Sequence, residues 1–181
     1  MNDDDAARTD HVFGAIEASL AQAGWTEAQL PATEGPMVAM RTSEFRWRWV
    51  ASRLHTIAVV LPLHAGETRA GLDALLGSAV TEVKRSLDGV PLGFQAGIAV
   101  ILTLVGRDLD PEVRQWAAHP RLGGYAVVVH PVVVDLADGQ VLEPRRRWLG
   151  IIFHSYLRGL VRAHVTPFVT PDAAVPTITE A

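Results

Sequence analysis

Cysteine is absent from this 181-residue chain, which excludes a disulfide framework, a thiolate metal site and a thiol nucleophile. Lysine occurs once, as Lys84, and no glycine-rich segment precedes it, so a lysine-bearing phosphate loop is excluded too. Long apolar runs are missing: the longest, GIAVILTLV and IAVVLPL, are strand-sized and far short of the roughly 20 residues a membrane helix requires. The opening MNDDDAARTD is acidic and polar, the reverse of a secretory leader's basic and then apolar beginning. A GxSxG elbow and a dinucleotide fingerprint are absent as well. The expectation is a soluble, cytoplasmic protein with no cofactor, no metal and no membrane partner.

What is present is mostly apolar. Hydrophobic residues make up 49% of the chain and charged residues 20%, enough for one well-buried domain at a length typical of one. Arginine in place of lysine, with heavy use of Ala, Val and Gly, is what GC-rich codons of a bacterial genome produce. The formal charge of −4 is unevenly placed: Asp3, Asp4, Asp5, Asp10, Glu17, Glu27 and Glu34 stand against Arg8 alone before residue 39. An acidic front and a mildly basic body attract each other within or between chains.

Residues 1–9 read as a disordered acidic N-terminus, 10–165 as a single domain, and 166–181 as an extended tail marked by Pro167, Pro171 and Pro176. Asp10 is placed to cap a helix over about 11–23 that carries Val12, Phe13, Ile16 and Leu20 on one side and ends at Gly24. Strands follow over about 37–44 and 46–61, their junction lacking a clear turn signal. Leu72, Leu76, Ala79, Val80 and Val83 then give a helical stripe over about 68–87. Residues 96–105 form a continuous apolar strand, which implies cover on both faces. Asp110 followed by Pro111 starts a short helix to about 118. YAVVVHPVVVDL is a strand whose Pro131 belongs at an edge or bulge, ADGQ is a hairpin turn, and QVLE is the return strand. A last helix covers about 145–164. The order αββαβαββα predicts an α/β sandwich, with a mixed sheet of about five strands and helices packed on it.

The opening helix and strand group is similar to the start of the restriction-endonuclease-like core. That core's strand-borne acidic pair followed by lysine is missing, since the only Glu-x-Lys, Glu82 to Lys84, falls inside a predicted helix. No nuclease activity is implied.

The stretch EFRWRWVASRLH alternates Phe45, Trp47 and Trp49 with Arg46 and Arg48. On a strand, alternation puts the rings on one face and the arginines on the other. A single-strand nucleic-acid platform needs rings and cations on the same surface, so the pattern predicts buried rings, solvated arginines and no nucleic-acid partner.

The terminal helix segregates Leu149, Ile152, Phe153, Tyr156, Leu157 and Leu160 from Arg147, His154, Arg158 and Arg162, with no carboxylate from Arg145 to His164. Either this basic face is simply solvated, or Arg147, His154, Arg158 and Arg162 bind an anionic partner. His55 and His130 fall in predicted strands with Glu44 or Asp135 as a potential carboxylate third, but no HxH or HExxH spacing marks a metal site. The leading expectation is therefore a non-enzymatic protein-interaction or self-assembly module, binding a protein partner or a second copy. The alternative is an enzyme, or a nucleotide- or anion-binding protein, whose pocket gathers His55, His130, His154 and Arg158, with Asp135 beside them.

Overall fold

The computed structural model describes residues 3–30, 37–46, 52–87, 96–119, 121–122, 127–144 and 151–169. In chain order the elements are α1 (Asp3–Gln22), β1 (Thr26–Glu27), β2 (Val38–Arg46), β3 (Ser52–Pro62), α2 (Arg69–Ser86), β4 (Ala96–Gly106), α3 (Pro111–Ala117), β5 (Arg121–Leu122), β6 (Val127–Asp135), β7 (Gln140–Leu142) and α4 (Ile151–His164). A 3-10 turn at Thr166–Phe168 follows α4. The expected α/β class and element order are present, with two additions. β1 and β5 are only two residues long, too short for any periodicity to reveal.

One mixed sheet has the order β1-β2-β3-β4-β6-β5, with β7 also paired to β6. The neighbours β3, β4 and β6 are parallel, and the other pairings are antiparallel. Both parallel crossovers, through α2 and α3, lie on one face, as a single handedness requires of strands advancing in one direction. Alternate residues of β4 then enter different cores. Ala99, Ile101 and Val105 pack under α1 and α4, while Ile98, Val100, Leu102 and Leu104 pack under α2 and α3. This double burial is why β4 reads as unbroken apolar sequence. Each fully buried Ile or Leu contributes roughly 1.5–3 kcal/mol.

The helices follow from their stripes and stops. Thr68 caps α2, its hydroxyl accepting from the Gly71 N–H at 3.2 Å, and Leu72, Leu76, Ala79, Val80 and Val83 are buried. Glu82 and Lys84 lie within this helix. Gly24 ends α1 at φ +83°, and the Trp25 N–H reaches back to the Leu20 carbonyl at 3.1 Å, a closure that needs the left-handed glycine. It turns Trp25 into the core under α4.

Three expectations require correction. The acidic segment is not disordered from residue 3 onward: α1 begins at Asp3. The terminal segment is not extended at its start, because the 3-10 turn at Thr166–Phe168 leads to a buried Val169. The two strands expected over about 37–44 and 46–61 pair antiparallel as β2 and β3, but the first runs on to Arg46, which stands opposite Ser52, and the second is described from Ser52. Trp47, Arg48 and Trp49 lie outside the described residues. Phe45, expected in the core, is 49% exposed, whereas Glu44 accepts a hydrogen bond from Tyr156 Oη at 3.0 Å. Alternation holds, but it is the glutamate's face that α4 covers.

Pro131 lies within β6, between two short partners on the same edge. β5 pairs with Val128 and Val129, β7 ends with Leu142 opposite Val133, and the proline falls in the interval. Among the described residues, no helix is long and apolar enough to cross a membrane.

Candidate functional site

The face covered by α4 carries an unusual concentration of polar side chains for a sheet interior. On β6, His130 is only 4% exposed. Its neighbours Val132 and Val134 belong to the core under α1 and α4, whereas Val129 and Val133 face α2 and α3. Glu143 follows β7 and returns over the same face. Its Oε2 sits 3.0 Å from His130 Nε2 and 3.6 Å from Arg158 Nε. From α4, the His154 ring approaches the His130 ring with centroids 5.5 Å apart and planes inclined by 58°. His154 and Arg158 are one helical turn apart and thus share a side of α4.

This arrangement ties three elements together. The carboxylate holds a buried imidazole in a defined orientation, and the guanidinium balances its charge from the solvent side. Even a half-buried carboxylate such as Glu143 would be disfavoured without such partners. In chemical terms, the cluster can orient a histidine and present a cation at its mouth. Among the described residues, no group of three or more His, Cys, Asp or Glu side chains is placed to hold a metal ion.

The structure brings His130, His154 and Arg158 together, but not His55 or Asp135. His55 lies between Leu54 and Thr56 on β3. By alternation it faces the α2 side with Ile57, Val59 and Leu61, across the sheet from His130. Burial, and secondarily the Arg53 charge, push its pKa below the ordinary histidine value. Asp135 also faces away, fully buried and paired with Arg114 of α3 at 2.5 Å. Arg114 reaches Asp138 at 2.6 Å as well. That hydrogen bond, with the Asp135 charge adding to it, raises the guanidinium's proton affinity further. Of the expected anion-binding residues on the terminal helix, Arg162 is exposed, His154 and Arg158 are half-buried, and Arg147 lies outside the described residues. The basic face is therefore partly folded inward onto Glu143.

Glu143 is the member that sequence reasoning missed. It follows a three-residue strand and has no spacing relation to His130, and only the β6–β7 register brings it back over the histidine.

At the other end of α4, Ser19 Oγ and His164 Nδ1 are 2.9 Å apart, beside a narrow apolar crevice lined by Ile16, Leu20, Trp25, Ile101, Leu160 and His164 among others. Burial lowers the His164 pKa, favouring the neutral ring. This contact links α1 to α4 and completes the cover of the sheet.

The outer edge of β2 is the contrasting feature. β1 pairs only with Met40 and Arg41, and among the described residues no strand continues alongside Thr42–Arg46. Ala28 donates its N–H to the Ala39 carbonyl at 2.8 Å, which fixes the phase: odd-numbered residues of β2 turn their peptide groups toward this edge. Ser43 and Phe45 have exposed side chains here.

No protein-family model, no curated protein and no solved structure matches the chain.

Proposed function

We propose that this domain is a non-enzymatic protein-interaction module that accepts an extended segment at the outer edge of β2. The observation carrying this reading is the short reach of β1, whose two residues pair with Met40 and Arg41 while β2 runs on to Arg46. Open edges add strands readily, with main-chain hydrogen bonds supplying affinity and alternate side chains supplying selectivity. Phe45 provides an apolar anchor at the same place. Selection from a displayed library of unstructured peptides, run in parallel on the Ser43→Pro variant, tests the reading. Ser43 points its N–H outward, so proline there spares the β2–β3 ladder while blocking the edge. The expected clones lose binding to Ser43→Pro, and clones indifferent to that change would place recognition elsewhere.

A second reading, as an anion- or nucleotide-binding protein or an enzyme, is favoured by the convergence of His130, His154, Arg158 and Glu143. Titration with inorganic phosphate and nucleoside phosphates, followed by histidine ring signals in NMR, tests it. This reading expects saturable shifts at His130 and His154, and their absence up to about 10 mM, a dissociation constant weaker than any useful site, would dismiss it.

A further inference from the structure

We propose that the α2-side face of the β2–β3 pair binds single-stranded nucleic acid, with Arg41 and Arg53 meeting phosphates and Phe45 stacking on a base. This surface lies beside the edge of β2 but is separate from it, since a ligand on the sheet face needs no main-chain pairing.

Strand parity assembles the face. Ala39 of β2 and Ile57, Val59 and Leu61 of β3 belong to the core under α2 and α3, so Arg41, Ser43 and Phe45 point to that side of the sheet, as do Arg53 and His55. The β2–β3 register sets Phe45 opposite Arg53 and Ser43 opposite His55. A ring and a guanidinium that alternation separates within one strand thus share a surface through cross-strand pairing. Rings and cations on the same surface are what a single-strand platform requires. Along β2, Arg41 is four residues from Phe45, about 13 Å for an extended strand, and Ser43 and His55 fill the interval.

Burial falls away at this corner of the sheet. Arg41, Ser43, Phe45 and Arg53 are exposed and His55 is half-buried, and none of the five is acidic. Neither Arg41 nor Arg53 is paired with a carboxylate among the described residues. His55 reports the same field: after burial, the Arg53 charge is the second cause that lowers its pKa, as a positive potential there requires. Charge complementarity therefore selects an anion, and the exposed ring selects an anion with flat apolar surfaces to stack. An acidic peptide would satisfy the arginines without using the ring, whereas single-stranded nucleic acid uses both.

The test is fluorescence anisotropy of labelled thymidine and uridine decamers titrated with the full chain, from about 50 to about 200 mM salt. At the lower salt, at least one decamer is expected to bind with a dissociation constant on the order of 10–100 µM, and the tighter of the two tells DNA from RNA. The logarithm of the binding constant should fall against the logarithm of salt with a slope of about −1.4, the value for two phosphate contacts to a single strand. Arg41→Ala and Arg53→Ala should each halve that slope. Phe45→Ala should leave it unchanged while weakening binding about 5–100-fold, the loss of one stacked base. Arg69→Ala removes an exposed charge at the start of α2 and should change neither quantity. All four substituted side chains are exposed, so each variant is expected to keep the wild-type urea midpoint, which separates lost affinity from lost fold. The absence of saturable binding of either decamer up to about 1 mM protein overturns the inference, and so does binding that Arg41→Ala, Arg53→Ala and Phe45→Ala leave intact. A labelled glutamate decamer that binds as tightly as the oligonucleotides would assign the face to acidic peptides and overturn it as well.

Discussion

His130 Nε2 lies 3.0 Å from Glu143 Oε2, joining a buried strand histidine to a carboxylate that the β6–β7 hairpin carries back over it. Arg158 reaches the same oxygen from α4 at 3.6 Å. The three side chains fasten the α4 helix to the sheet, as the Tyr156–Glu44 hydrogen bond does at β2.

Removing the carboxylate should therefore cost more than a surface change. Glu143→Ala leaves His130 and Arg158 without their common partner and is expected to lower stability by about 2–4 kcal/mol. Glu143→Gln keeps an acceptor and should cost about 1 kcal/mol. Urea denaturation at neutral pH measures both. A loss under about 0.5 kcal/mol for Glu143→Ala, the level of an unremarkable surface substitution, would show that the pair does not form in solution.

Arg114 joins α3 to the other end of β6. It contacts buried Asp135 at 2.5 Å, Asp138 at 2.6 Å, and the Gln140 side chain at 3.3 Å. Arg114→Ala strands a fully buried carboxylate and should destabilise by about 3–5 kcal/mol. Arg114→Lys offers a single ammonium to acceptors spread around a guanidinium and should recover less than half of that loss. Thermal and urea unfolding of the two variants decide the point, and full recovery by lysine would mean that charge alone, and not the fork geometry, does the holding.

Phe45 gives the opposite expectation. Because it is 49% exposed, Phe45→Ala in dilute protein should change stability by no more than about 0.5 kcal/mol. The fully buried Ile57, on the neighbouring strand, should cost about 2–5 kcal/mol when cut to alanine. Equal losses at the two positions would mean that Phe45 is covered in solution.

The contrast explains what was legible in the chain. The stripes of α1 and α2, the double-faced β4, the Asp110-Pro111 helix start and the β6–β7 turn are local signals, and they yielded the class, the element order and most of the core. Which face of β2 is covered is a tertiary fact. Alternation separates Glu44 from Phe45, but only the passage of Tyr156 over the sheet decides which of them is inside. The same applies to the histidines. His130, His154 and Arg158 were recognisable as candidates by residue type, yet the parity of β3 sends His55 to the other face, and the partner Glu143 is set by hairpin register.

Proton linkage offers the last prediction. Burial lowers the pKa of His164, and burial with the Arg53 charge lowers that of His55, both from 6.5. Each ring is therefore less readily protonated in the fold than in the unfolded chain, and between the depressed value and 6.5 the unfolded state binds more protons. Stability follows the same sign: the contribution of the neutral rings is complete above about pH 6.5 and is lost as pH falls through the window below it. Both sites are substantially solvated, so the effect is screened and the slope modest. The midpoint of urea unfolding should be level from about pH 7 to 8 and decline from about 6.5 to 5, above the range where carboxylates titrate. His164→Gln, which keeps a polar group facing Ser19, should flatten that decline, and adding His55→Gln should flatten it further. An unchanged slope in the double variant would assign the acid sensitivity to other groups.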